Sequence, residues 1–134
     1  MKDAERVERL EEVLGKLKEM CRDRIIFVEG KEDTKALNTL GIYGDMFEVQ
    51  ASGGPVRAAE YAESNGKSSV ILTDWDRRGD SLAKQLVSLL PPGTADMKIR
   101  SELAHLCGAF ISDVESLDVF IEMLSVRADI RHRV

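Results

Sequence analysis

The spacing of hydrophobic positions changes several times along this chain, and each spacing predicts a different element. Near the amino terminus, apolar residues recur at every third or fourth position among charged neighbours. This pattern predicts an amphipathic helix from about Asp3 to Met20, with Asp3 as its N-cap. The apolar run Ile25–Val28 follows, and its β-branched and aromatic content is typical of a strand buried on both faces. We therefore expect a parallel α/β sheet.

The alternation of short apolar runs with helical periods continues along the chain. Further strands are predicted at Met46–Val49, Ser69–Thr73 and Met97–Ile99. Helices are predicted between these strands and at the end of the chain, at about Glu32–Leu40, from Pro55 to Asn65, from Leu82 to Leu90, at Ser101–Cys107 and at Ser116–Leu124. This order predicts one three-layer, Rossmann-like α/β domain, with a mainly parallel four-stranded sheet between helices. Its core would span about residues 24–99, with an N-terminal helix and a C-terminal helical extension.

Composition narrows the class of protein. A chain of 134 residues with 43% hydrophobic content can bury a real core as a single domain. Its apolar runs are too short to cross a bilayer, so we expect a soluble, cytoplasmic protein without membrane contact. Two distant cysteines and two histidines argue against a disulfide framework and against a structural zinc site. The net charge of −5 argues against coating nucleic acid by bulk electrostatics, so any such contact must be local or assisted by metal ions or a partner.

Acidic residues directly follow two of the predicted strands. Glu29 follows the first strand, and Asp74 and Asp76 follow the strand that begins at Ser69. In a parallel sheet the carboxyl ends of neighbouring strands meet at one edge, where binding sites collect. Each acid alone is more typical of a helix cap, but charges at the ends of two buried strands are costly unless they are paired or bound to metal. Their combination favours a magnesium-assisted phosphate site.

Small and cationic residues near these acids are candidate contacts for phosphate or nucleic acid. They follow the ends of the first three predicted strands: Gly30, Lys31, Ser52, Gly53, Arg77 and Arg78. Trp75, between the two aspartates, could stack on a base or cover the sheet edge.

Two motifs resemble those of a known family. The stretch IIFVEGKEDTKAL at residues 25–37, together with VILTDWDRRGDSL at residues 70–82, resembles the Toprim domain shared by topoisomerases, bacterial-type primases, OLD-family nucleases and a ribosomal-RNA maturation ribonuclease. In that family one apolar strand ends in Glu-Gly and a later strand ends in Asp-x-Asp. Trp75 stands where the ribonuclease usually has proline, and the sequence is more similar to small stand-alone prokaryotic, particularly archaeal, Toprim proteins.

The resemblance implies a function and a role for each matching acid. Glu29 would be the catalytic glutamate, acting as general acid or base, while Asp74 and Asp76, with Glu29 as a third metal residue, would bind Mg²⁺ or Mn²⁺. The substrate would be RNA or DNA, and the reaction would be that of a nuclease or nucleotidyl transferase. The additional regions of a complete topoisomerase or primase do not fit in a chain of this length.

Two alternatives stay open. The first is a non-catalytic nucleic-acid-binding or regulatory subunit of a larger complex, with a protein partner or a second copy of the chain. The second is a phosphatase of the haloacid-dehalogenase type with Asp74 as nucleophile, which would leave Glu29 without a role.

Overall fold

Four parallel strands form the centre of the computed structural model, which describes residues 1–133. In chain order they are β1 (Ile25–Val28), β2 (Asp45–Glu48), β3 (Ser69–Ile71) and β4 (Ala95–Asp96). Their order in the sheet is β2-β1-β3-β4, and every pairing is parallel. Since β1 and β3 are direct neighbours, the acids that follow them arrive at the same edge of the sheet, as the sequence predicted.

Six helices cover the two faces of this sheet. They are α1 (Asp3–Met20), α2 (Lys31–Thr39), α3 (Pro55–Asn65), α4 (Arg77–Leu89), α5 (Lys98–Cys107) and α6 (Leu117–Arg133). Helices α3 and α4 pack on one face, and α1, α2, α5 and α6 pack on the other. The predicted three-layer α/β architecture is confirmed. Across residues 1–133, no helix is both long and apolar enough to span a bilayer.

Alternating residues of β1 belong to two separate hydrophobic cores. Ile26 and Val28 point into the core beneath α1, α2, α5 and α6, whereas Ile25 and Phe27 point into the core beneath α3 and α4. All four side chains are fully buried. This two-sided burial explains the continuous apolar run, and each such side chain stabilises the fold by roughly 1.5–3 kcal/mol relative to an exposed position.

The strand predicted at Met97–Ile99 is wrong. Strand β4 ends at Asp96, and α5 begins at Lys98. The Asp96 side chain accepts the N–H of Ile99 at 3.1 Å, which satisfies a free donor in the first turn of the helix. Ile99 is buried on the helix together with Leu103, so its apolar character reflects a helical period rather than a strand.

The N-cap of α1 also differs from the prediction. Lys2 occupies the cap position, and Asp3 is the first residue of the helix. The Asp3 carboxylate is buried and accepts two hydrogen bonds from the guanidinium of Arg127 in α6, at 3.1 and 3.2 Å. Asp3 therefore joins α1 to α6 instead of capping its own helix, and α6 extends well beyond the predicted end at Leu124.

Candidate active site

Glu29 connects the ends of neighbouring strands at the carboxyl edge of the sheet. It follows β1 directly, and its Oε2 accepts the peptide N–H of Asp74, beyond the end of β3, at 2.7 Å. Its other oxygen lies 3.4 Å from the amide nitrogen of Gln50, in the loop after β2. One partly buried carboxylate, which itself follows β1, thus contacts groups that follow both of the strands adjacent to β1.

Asp33 fixes the turn that carries Glu29. It lies in the first turn of α2, is buried, and accepts the backbone N–H groups of Glu29 and Gly30 at 3.1 Å each. Burial raises the pKa of the Asp33 carboxyl to about 6; these two N–H donors oppose the shift, and the charges of Glu29 and Glu115 add to it. The N–H of Gly30 is already bound to Asp33, so it is not a free donor for a phosphate. Gly30 does leave open space beside the site, because no atom lies within 4 Å of where its Cβ would be.

Asp74 is the most perturbed acid of this edge. Its Oδ1 accepts the N–H of Val114 at 3.0 Å. Burial raises the pKa of its carboxyl to about 7; the Val114 donor opposes this shift, and the charges of Glu29 and Asp33 reinforce it. A carboxyl whose pKa is raised toward neutrality by burial and by neighbouring acids is typical of functional sites.

Asp76 caps the helix that follows it. It is exposed, occupies the N-cap of α4, and accepts the N–H of Gly79 through Oδ1 at 2.7 Å. Capping and metal binding are compatible, because this hydrogen bond engages one of the two carboxylate oxygens. Gly79 is required here for packing: a Cβ at this position would lie 1.8 Å from the carbonyl oxygen of Asp74.

A buried arginine binds the backbone of the Asp-Trp-Asp turn. Arg100 of α5 donates to the carbonyl oxygens of Thr73 at 3.0 Å and Asp74 at 2.5 Å, and to the carboxylate of Asp80 at 2.6 Å. It is only 8% exposed. The sequence carries no local signal for this role, because the contact joins a helix to a turn more than twenty residues away.

Trp75 attaches the C-terminal part of the chain to the same turn. Its indole Nε1 donates to the carbonyl of Ile111 at 2.7 Å, and its peptide N–H donates to Ser112 at 2.9 Å. The ring is partly buried against the larger core. Of the two roles expected for Trp75, these contacts support covering the sheet edge. They also bring Val114 to Asp74.

The four acids described above, at Glu29, Asp33, Asp74 and Asp76, line a cavity of about 310 Å³. Six of its lining residues are acidic and two are cationic: Glu29, Glu32, Asp33, Asp74, Asp76 and Glu115, with Lys31 and Arg78. Gly30 and Gln50 complete the lining. The three acids expected at the site share this cavity. Across the part of the chain that the structure describes, however, no three His, Cys, Asp or Glu side chains already stand in a metal-binding arrangement.

Three predicted contact residues do not line the cavity. Ser52 and Gly53 lie in the exposed loop after β2, and Arg77 is an exposed residue at the start of α4. Gly53 has a φ of +103°, so the loop itself needs a glycine there. Conversely, Glu32, Gln50 and Glu115 line the cavity without having been predicted. Glu115 could not have been found from local sequence, since tertiary contacts of Trp75 and Asp74 bring its segment to this edge.

Replacing Asp74 by asparagine should stabilise the metal-free protein at about pH 8, and should stabilise it by less than half as much at about pH 5. The pKa of this carboxyl is 3.8 in the unfolded chain and about 7 in the folded chain. Ionising it therefore costs no folding stability below pH 3.8, an increasing amount between the two values, and the full amount above about pH 7. Because the carboxyl is only partly buried, we expect a gain of about 1 kcal/mol, well below what the full shift would give. Asparagine keeps the oxygen that accepts the Val114 N–H.

Urea unfolding in EDTA at the two pH values measures this gain. A loss of stability in Asp74→Asn that is the same at both pH values would contradict the prediction. Adding Mg²⁺ provides a second readout, since it should stabilise the wild type and not the variant.

The fold and this edge define a class: a small, all-parallel α/β domain with an acid-rich cavity at the carboxyl ends of its central strands. Comparison with known proteins gives the family. A UPF0292 protein of Methanosarcina barkeri is 40% identical over 128 residues, covering 91% of this chain and 87% of the relative. One of Methanocaldococcus jannaschii is 32% identical over 123 residues, covering 90% and 96%. The chain belongs to the UPF0292 family.

Two further comparisons complete the picture. No family model matches the chain. A solved protein of Aquifex aeolicus superimposes with a TM-score of 0.66 at 25% identity, covering 79% of this chain and 95% of that one. The α/β fold is therefore also found in an experimentally solved protein.

Proposed function

We propose that this protein is a magnesium-dependent enzyme of the Toprim type that cuts or joins phosphodiester bonds in nucleic acid, with cleavage as its main activity. One observation carries the proposal. The carboxylate of Glu29 reaches the backbone of Asp74 across two adjacent strands, so the Glu-Gly and Asp-x-Asp motifs of the Toprim resemblance meet in a single cavity. Neither motif alone distinguishes a reactive site from a helix cap.

The donor set of this cavity fits a hard divalent cation. Its six carboxylates and the Gln50 side-chain oxygen are the ligand type that Mg²⁺ and Mn²⁺ take, and the cavity retains room for water and phosphate oxygens. The raised pKa values of Asp33 and Asp74 show that negative charge is unfavourable there without a counter-ion. When bound, the cation would polarise a phosphoryl oxygen and offset the charge of the reacting phosphate.

The residues then divide by role. Asp74 and Asp76 would hold the cation, and Glu29, beside them, would move a proton to or from the reacting oxygen. Lys31 and Arg78 are the two cations of the cavity and would contact phosphate oxygens. The amino ends of α2 and α4 lie at the same edge and add partial positive charge.

The negative charge of the cavity implies that a divalent cation must bind before nucleic acid does. With six acids against two bases, a polyanion would be repelled from this edge before a divalent cation binds. The need for a bound cation is equally compatible with a non-catalytic subunit, since such a protein could bind nucleic acid through the cation without cleaving it. Binding and turnover must therefore be measured separately.

The test is a single-turnover assay of the purified chain on labelled single-stranded RNA, structured RNA, single-stranded DNA and duplex DNA. We expect cleavage or joining of at least one substrate with Mg²⁺ or Mn²⁺ and none in EDTA. Affinity measured by fluorescence anisotropy should fall at least about tenfold when EDTA replaces the metal. Metal-dependent binding without any turnover would favour the non-catalytic subunit instead, and metal-independent binding would contradict the assignment of this cavity.

A further inference from the structure

Trp75 holds a loop of the C-terminal extension against the turn that carries the two candidate metal ligands. Its indole Nε1 donates to the carbonyl oxygen of Ile111 at 2.7 Å, and its peptide N–H donates to the carbonyl oxygen of Ser112 at 2.9 Å. Both acceptors belong to what we call the docking loop, defined as residues 111–114 between α5 and α6. One residue of the turn thus binds two successive positions of a segment that begins 36 residues further along the chain.

The docking loop in turn binds the side chain of Asp74. The peptide N–H of Val114 donates to Asp74 Oδ1 at 3.0 Å. Val114 is fully buried in the larger core, so packing as well as chain connectivity holds this donor in place. The hydrogen bond engages one of the two carboxylate oxygens, and the other is the oxygen through which Asp74 would bind a cation.

The backbone of Asp74 is already fixed by other partners. Its N–H is bound to Glu29 at 2.7 Å, and its carbonyl oxygen accepts from Arg100 at 2.5 Å. What remains to be fixed is the rotation of the carboxylate about its side-chain bonds, and the Val114 N–H restricts this rotation. Donors that orient a ligating carboxylate in this way are worth about 10- to 100-fold in metal affinity.

We infer that Trp75 is a positioning residue for the metal site, and that packing of the docking loop and binding of the cation strengthen each other. The inference rests on the metal site of the proposed function but not on its cleavage reaction. Coupling between two events is reciprocal, so a docked loop that raises the affinity for Mg²⁺ must itself be held more firmly, by the same factor, once Mg²⁺ is bound. Metal occupancy can then be regulated through the loop without any change in the acids.

The ends of the docking loop are attached to the C-terminal helices. The N–H of Ile111 donates to the carbonyl oxygen of Cys107 at the end of α5, and the Asp113 side chain accepts the N–H of Ser116 just before α6, both at 2.9 Å. Of the three hydrogen bonds described above between loop and turn, two have peptide donors and one has the indole as donor. Trp75 is therefore the position at which docking can be weakened while every acid is retained.

Calorimetric titration of the full chain with Mg²⁺ and with Mn²⁺ tests the inference. Trp75→Phe keeps an aromatic ring and both aspartates but removes the indole donor, so we expect the metal dissociation constant to rise about tenfold or more. Arg127→Met is the matched control, because it breaks the pair with Asp3 between α6 and α1, and neither residue lines the cavity. Its metal affinity should equal that of the wild type. Thermal unfolding in EDTA measures the stability that each variant loses, so that affinities are compared on folded protein.

Amide hydrogen exchange followed by NMR measures the reciprocal effect. In the wild type, saturating Mg²⁺ should slow exchange of the Val114 N–H and of the Trp75 indole N–H by about tenfold. The N–H of Gly66, bound to Glu63 at the end of α3 and not part of the cavity lining, reports the background. In metal-free Trp75→Phe, the Val114 N–H should exchange faster than in the wild type.

Equal metal affinity in the wild type and in Trp75→Phe would overturn the inference, as would an equal loss in Arg127→Met, which would trace the effect to stability alone. Faster exchange of the Val114 N–H with Mg²⁺ would also overturn it, because the cation would then displace this donor from Asp74. A wild type that binds neither cation would contradict the inference together with the metal site of the proposed function. A wild type that shows the expected coupling but turns over no substrate would support the inference and contradict only the enzymatic part of the proposed function.

Discussion

Replacing Glu29 by glutamine should lower the rate of phosphodiester cleavage by about 10³-fold or more while the protein stays folded and still binds its metal. Glutamine has nearly the same shape and keeps an oxygen that can accept the Asp74 N–H, which is 2.7 Å from the carboxylate in the wild type. It cannot, however, take up or release a proton. The loss should therefore appear in the chemical step, measured under single-turnover conditions with saturating enzyme.

The neighbouring Glu32→Gln is the matched control for this variant. Glu32 lines the same cavity but is exposed at the start of α2, and its replacement should change the rate only a few-fold. Mg²⁺ binding by calorimetry, and nucleic-acid affinity in the presence of Mg²⁺, should be nearly unchanged in Glu29→Gln. If this variant turns over at the wild-type rate, Glu29 is not the proton-transferring residue. If it loses metal binding as well, its role is that of a ligand.

Replacing Arg100 by methionine should lower the free energy of unfolding by about 3 kcal/mol, the largest stability effect we expect at this edge. The guanidinium is 8% exposed and donates to Thr73, Asp74 and Asp80. Methionine fills much of the same volume but supplies no donor, so two carbonyl oxygens at the end of β3 and one carboxylate lose their partner. Urea denaturation followed by circular dichroism measures the change.

Arg78→Met provides the comparison, because Arg78 is an exposed residue on the other side of the same turn. Its loss should alter stability by less than about 0.5 kcal/mol and instead weaken nucleic-acid binding. A loss in Arg100→Met no larger than that in Arg78→Met would show that the buried hydrogen bonds are not needed to hold the Asp-Trp-Asp turn. Arg100→Lys should recover only part of the stability, since one ammonium cannot reproduce the planar donor geometry of arginine.

The sheet could be predicted because its determinants are local. Strands β1 and β3 are continuous apolar runs, and the helices between them have clear periods and glycine or proline at their ends. The region after Gly93 was misassigned because Met97 and Ile99 alternate like strand residues over too short a window. The deciding signal, the hydrogen bond from the Ile99 N–H to the Asp96 side chain, comes from a single polar residue that also fits a turn.

The candidate site was predictable only to the extent that strand order determines it. Once β1 and β3 are parallel neighbours, Glu29 and Asp74 must meet. Glu115 and Gln50 come from segments whose local sequence gives no reason to place them there. Gly30 is predicted as a phosphate contact from its place beside Glu29, and the structure adds that its N–H is already bound to Asp33.

The contacts of Trp75 and Asp74 with residues 111–114 determine how much of the chain would be needed to transplant this site into another protein. The two Toprim-like motifs lie within residues 24–99, but Glu115 in the cavity lining and a backbone donor to Asp74 come from beyond α5. Grafting the motif-bearing core alone into another scaffold would therefore transfer the acids without the segment that orients them. In this chain the transferable module is the core together with its C-terminal extension.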